Sequence, residues 1–140
     1  MDLLIQYAMQ FVGVPYKWNG KNPMDGFDCS GLIQELLTSM GIYFMGPQSA
    51  QMLYKAIASS ASTRQLSLAQ AGALIFYGGG PDQIHHVAMM IDNYRMIEAG
   101  GGGPNVIDKT TASQSNAFVK IRPYTFVPGV FAILLPAYRQ

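Results

Sequence analysis

The spacing of apolar residues changes once along this chain, near residue 60, from a helical period to a strand period. In residues 2–11, Leu3, Leu4, Tyr7, Ala8 and Phe11 share one helical face. Asp2 is placed to cap that helix, and Gly13 and Pro15 end it. Residues 13–27 gather Gly, Pro, Asn and Asp and are expected to form an ordered loop. Residues 29–40 carry a second stripe of Leu32, Ile33, Leu36, Leu37 and Met40, with Asp28 as cap and Gly41 as stop. A third helix is expected over 49–58, with Met52, Leu53, Ala56 and Ile57 facing inward.

Beyond the change, short runs rich in Val, Ile, Phe and Met cover 73–77, 86–91, 94–98, 105–108, 117–122 and 130–135. Turn residues separate them, including Asp92-Asn93, which reads as a tight hairpin. Helices first and short strands afterwards predict an α+β fold, with N-terminal helices packed on an antiparallel sheet. Alternating βαβ units are excluded. A length of 140 residues predicts one domain over 1–140. The Gly100–Gly103 stretch lacks the lysine of a phosphate-binding loop and reads as a mobile loop.

Composition narrows the function. Apolar residues make up 49% and charged residues 12%, which is a folding composition. Net charge is +1 without charge runs, so neither nucleic acid nor an anionic membrane is an expected partner. No apolar run approaches the ~20 residues that stable membrane insertion needs. The N-terminus has no basic segment and does not read as a secretion signal.

The chain has one cysteine, so the thiol has no intramolecular disulfide partner. Cys29 follows the cap residue Asp28 at a predicted helix start, where unpaired backbone N–H groups favour a thiolate. A thiolate mechanism needs a base, and only His85 and His86 are available. They open the 86–91 strand with side chains on opposite faces, and both faces are apolar, so periodicity leaves the choice open. Glu98 lies twelve residues after His86 across the hairpin, placed to orient an imidazole as the third member of a triad. No further histidine exists and no carboxylate has metal-site spacing, so no metal and no cofactor is expected.

Several segments together resemble the NlpC/P60 family of cysteine peptidases. Gly13-Val14-Pro15-Tyr16-Lys17-Trp18-Asn19-Gly20 is similar to its Gly-x-Pro-Tyr segment. Phe27-Asp28-Cys29-Ser30-Gly31-Leu32 resembles its nucleophile motif, Ala71 to Phe76 its Pro-Gly-Asp-Leu strand, and His86 to Ile91 its His-Val strand. Met96 to Ala99 is similar to its Ile-His-Ala ending. The resemblance implies a papain-like core and cleavage of peptidoglycan peptide stems, typically from D-γ-glutamate to a diamino acid. It selects His86 over His85, implies that Tyr16 helps hold the oxyanion, and assigns Asp28 and Ser30 to the free amine of the stem. Glu98 stands where the family usually has His, and Ala73 where it usually has Asp.

The site of action implied is the cell wall, in the periplasm or outside the cell. A chain without a separate wall-binding module suits a phage lytic enzyme, a phage tail component or a secreted effector. Two rival readings are an inactive wall-binding member of the same fold and a Cys–His acyltransferase or amidase. No inhibitor or delivery partner is indicated.

Overall fold

A computed structural model describes residues 1–138. Three helices come first: α1 (Asp2–Met9), α2 (Cys29–Ser39) and α3 (Ala50–Ser59). Between α1 and α2 lies a small hairpin of β1 (Lys21–Asn22) and β2 (Gly26–Phe27). The remaining elements are β3 (Arg64–Gln65), β4 (Leu74–Gly78), β5 (Ile84–Met90), β6 (Arg95–Gly100), α4 (Lys109–Gln114), β7 (Phe118–Pro123) and β8 (Val130–Leu135). The large sheet runs β3-β8-β4-β5-β6-β7, and every adjacent pair is antiparallel. The fold is therefore α+β, with the helical layer preceding the sheet in sequence.

Both faces of the central strands are buried, for different reasons. Leu74, Phe76, Val87, Met89 and Ile97 pack with Leu32, Leu36, Leu53 and Ile57 of the helices. On the other face Ile75, Tyr77, Ala88, Met90 and Met96 pack under Ala69, Ala73 and the Tyr124–Val127 segment. Alternate residues of one strand thus serve two apolar layers, which is why strand periodicity is weak in the sequence.

Several local expectations change. Residues 105–108 form no strand: only Val106 is buried, and Asp108 accepts from the Thr111 N–H at 2.9 Å to start α4. The apolar Val106-Ile107 pair is a loop closed by a helix cap. Three residues lie inside the Ile91 N–H to Arg95 carbonyl bond that closes the β5–β6 turn, with Asp92 accepting from the N–H groups of Tyr94 and Arg95 at 2.8 and 2.6 Å. On α3 the inner face is Leu53 and Ile57, while Met52 and Ala56 face outward. Leu3 is likewise exposed, and α1 is capped at Met1, with Asp2 inside its first turn.

The element that matters most for the site is the start of α2. Asp28 caps it, accepting from the Gly31 N–H at 2.6 Å. The Gly20 carbonyl crosses so closely that a Cβ on Gly31 would collide with its oxygen and with the Asp28 carboxylate. Glycine here lets the loop before the helix seal against the first turn. Gly31→Ala is expected to cost about 1–3 kcal/mol, as overpacking does. Urea denaturation measures it, and an unchanged midpoint would refute the contact.

Candidate active site

Cys29 occupies the first position of α2 and remains partly exposed at the cleft. A residue there has no intrahelical acceptor for its own N–H, and the helix dipole points its positive end at the sulfur. The helix start thus leaves a backbone donor free for an oxyanion formed beside the sulfur.

The two histidines are separated by a bulge. Tyr77 pairs with His86, but Gly78 pairs with Ile84, so His85 is the extra residue of β5. Ile84 and Val87 then both join the helix-side core, and His85 is left exposed. His86 sits against the Tyr77 ring, with centroids 5.3 Å apart. A bulge re-aims one side chain without ending the strand. Simple alternation places neither histidine correctly, because the count of residues slips by one.

Register also explains the third residue. Met89 pairs with Ile97, which puts Ala88 opposite Glu98 and His86 one diagonal step away on the same face. The His86 Nε2–Glu98 Oε1 distance is 2.8 Å. Nε2 faces Glu98, so Nδ1 is the ring nitrogen left for Cys29. Burial works against charging the His86 ring. Hydrogen bonding with Cys29 and Glu98, and the charge on each, overrides burial and raises its pKa to about 9.

Glu98 has no exposed surface, and its other oxygen accepts from Arg122 Nε at 2.5 Å. Burial alone would raise its pKa, but the hydrogen bonds and charges of His86 and Arg122 hold it below the ordinary carboxylate value. Arg122 is steadied in turn by the Phe126 ring, 4.1 Å from its guanidinium carbon. Sequence reasoning missed Arg122, which lies 24 residues from Glu98. An arginine on the strand paired with the Glu98 strand was the available signal.

Tyr16 is buried beside Cys29. Burial and the nearby charges of Cys29 and Asp28 push its pKa up, so its hydroxyl stays a donor. Gly102 lies so close to the Tyr16 ring that a Cβ would enter it. Asp28 and Ser30 are both buried, and each contacts the Lys21 ammonium. Ala73 is buried in the second core cluster. Tyr16, Cys29 and His86 open onto one cleft of about 840 Å³, large enough for a peptide segment.

A model of the NlpC/P60 family matches residues 13–122. The bifunctional muramidase/DL-endopeptidase CwlT of Bacillus subtilis is 36% identical over 106 residues, covering 73% of this chain and 30% of that protein. The peptidoglycan endopeptidase RipB of Mycobacterium tuberculosis is 32% identical over 120 residues, covering 76% of this chain and 46% of that protein. The solved structure of RipB superposes with a TM-score of 0.69 at 25% identity, over 99% of this chain and 65% of that one. This chain thus spans less than half the length of either relative. A non-catalytic NlpC/p60 domain protein, RipD of M. tuberculosis, shares the fold at a TM-score of 0.67 and 24% identity, over 96% and 94% of the two chains. The matched stretch runs from the loop ahead of Cys29 to the strand that ends near Arg122, and the chain belongs to the NlpC/P60 family.

Proposed function

We propose that this chain is a cysteine endopeptidase acting on the peptide stems of peptidoglycan in the cell wall. Cys29 is the nucleophile, His86 the acid and base, and Glu98 the residue that orients the imidazole. The observation that carries the reading is His86 held between the sole cysteine and a buried carboxylate at an open cleft. Relatives named as a DL-endopeptidase and as a peptidoglycan endopeptidase support the substrate class.

The reaction in this reading has two stages. The Cys29 thiolate attacks the scissile carbonyl carbon, forming a C–S bond and a tetrahedral oxyanion. The Cys29 N–H and the Tyr16 hydroxyl donate to that oxyanion. Imidazolium His86 gives its proton to the leaving nitrogen, the C–N bond breaks, and a thioester remains. His86, now neutral, takes a proton from water as the water attacks the thioester. The C–S bond then breaks, releasing a carboxylic acid, which gives its proton to solvent, and regenerating the thiolate–imidazolium pair. The bond expected is that from D-γ-glutamate to the diamino acid.

The test is digestion of purified peptidoglycan followed by mass spectrometry of the soluble muropeptides. Fragments ending in D-glutamate, with a new free amine on the diamino acid, are expected. Unchanged muropeptides would leave a wall-binding role. Acyl transfer to an added amine without hydrolysis would mark an acyltransferase.

A further inference from the structure

The bulge that separates the two histidines is held from outside the sheet. Gln51, on α3, reaches it with both ends of its side-chain amide. Gln51 Oε1 accepts from the Ile84 N–H at 2.9 Å, and Gln51 Nε2 donates to the Pro81 carbonyl at 2.7 Å. Ile84 pairs with Gly78 immediately before the extra residue His85, so the first bond lands at the edge of the bulge. A second bulge lies across the same strand. Phe76 pairs with Ala132 and Tyr77 with Val130, so Phe131 is the extra residue of β8. Tyr54, about one turn after Gln51 on α3, sets its ring edge-on against Phe131, with centroids 5.7 Å apart. One helix thus touches both irregularities beside Tyr77, and the Tyr77 ring lies against His86.

An extra residue interrupts the ladder, and the strand period does not fix where the interruption falls. Here its position matters, because histidine stands on both sides of the step. Moving the bulge by one residue would pair Tyr77 with His85 and leave His86 as the extra residue. His86 would then lose the diagonal step to Glu98 that the present register gives. We propose that Gln51 pins the bulge and so decides which imidazole meets Cys29. The proposal rests on the peptidase reading above, in which that imidazole is the acid and base. It makes Gln51 a positioning residue that acts through β5. A side-chain amide suits the task, since it offers an acceptor and a donor together to a backbone N–H and a backbone carbonyl. The Lys55–Asp82 ion pair, at 2.6 Å, anchors the same loop, but both side chains are largely exposed and Asp82 lies ahead of the bulge. Such a pair holds a loop weakly and fixes no register.

Gln51→Met keeps the length of the side chain and removes both bonds. It is expected to lower kcat for stem hydrolysis by about 10- to 100-fold, the size of effect that a misplaced catalytic group produces. KM should change little. An NMR titration of the His86 ring, with Cys29 intact, should fall from about 9 toward the ordinary value near ~6.5, because the displaced ring leaves Cys29 and Glu98. Lys55→Met frees the loop without touching the bulge and should move neither reading. Thermal denaturation checks folding, and Gln51→Ala, with the same expectations, stands in if the Met variant is unfolded. An unmoved His86 titration in a folded Gln51 variant overturns the proposal. So does an equal shift from Lys55→Met, which would make any anchor of the loop equivalent. A raised KM at unchanged kcat also overturns it, by making Gln51 a substrate contact. Absence of stem hydrolysis in the unmodified protein would remove the peptidase reading, and the titration alone would then decide the role of Gln51.

Discussion

Cys29→Ala is expected to abolish stem hydrolysis, lowering kcat by at least ~10,000-fold, while the protein stays folded. The size follows from the unit character of nucleophile and base: removing one member of such a pair costs nearly as much as removing all. Binding and the oxyanion donors would supply the small remainder. The structural cost is modest because Cys29 is partly exposed and at a helix start, so only the sulfur and its contacts are lost. About 1 kcal/mol or less is expected in chemical denaturation. The imidazole reports the change separately. Hydrogen bonding with Cys29 and the charge on Cys29 both raise the His86 pKa, so the value in the Ala variant should fall from about 9. An NMR titration of the His86 ring reads that shift. Retained hydrolysis in the Ala variant would remove Cys29 from the mechanism. Lost hydrolysis with an unmoved His86 titration would mean that the two side chains do not interact.

The parts of this site that could be read from sequence are those made by neighbours in the chain. Asp28, Cys29, Ser30 and Gly31 lie in one helical turn, so the cap, the cysteine at the helix start and the close approach follow from local rules. Glu98 was reachable because a hairpin of known turn length links it to His86. The choice between His85 and His86 was not, since a bulge slips the strand count by one and alternation assumes no slip. Arg122 escaped because its contact with Glu98 depends on the β6–β7 register, set 24 residues away. Lys21 read as one more polar loop residue. Its contact with Asp28 appears only when the β1–β2 hairpin folds. The misread strand at 105–108 shows the opposite weakness. Two adjacent apolar residues, Val106 and Ile107, outweighed a legible Asp108-to-Thr111 helix cap.

Glu98→Gln is expected to move the alkaline limit of activity downward and to lower kcat by roughly 100- to 10,000-fold, by analogy with carboxylate-to-amide changes in catalytic triads. The wild-type limit is expected near pH 9, where the His86 imidazolium loses its proton. Without the carboxylate, two of the interactions that raise the ring pKa are gone, and the limit should retreat toward the ordinary value near ~6.5. KM should change little, because Glu98 is fully buried and acts through His86. Stability follows the same groups with opposite signs. The raised His86 pKa gives stability that is full below about pH 6.5 and is lost as pH rises through about 9. The depressed Glu98 pKa gives stability that is full above the ordinary carboxylate range and is lost as pH falls through its folded value. Wild-type stability from this cluster is therefore greatest between those ranges, at about pH 5 to 6.5. The Gln variant should show a smaller decline above about pH 6.5, since the part of the His86 pKa rise that comes from the carboxylate is gone while the part from Cys29 remains. Arg122→Met separates positioning from structure: it leaves Glu98 present but less well held, so the acid limit should rise while the His86 titration stays high. A Gln variant with an unshifted alkaline limit would show that Glu98 is a buried structural carboxylate and that Cys29 alone sets the imidazole.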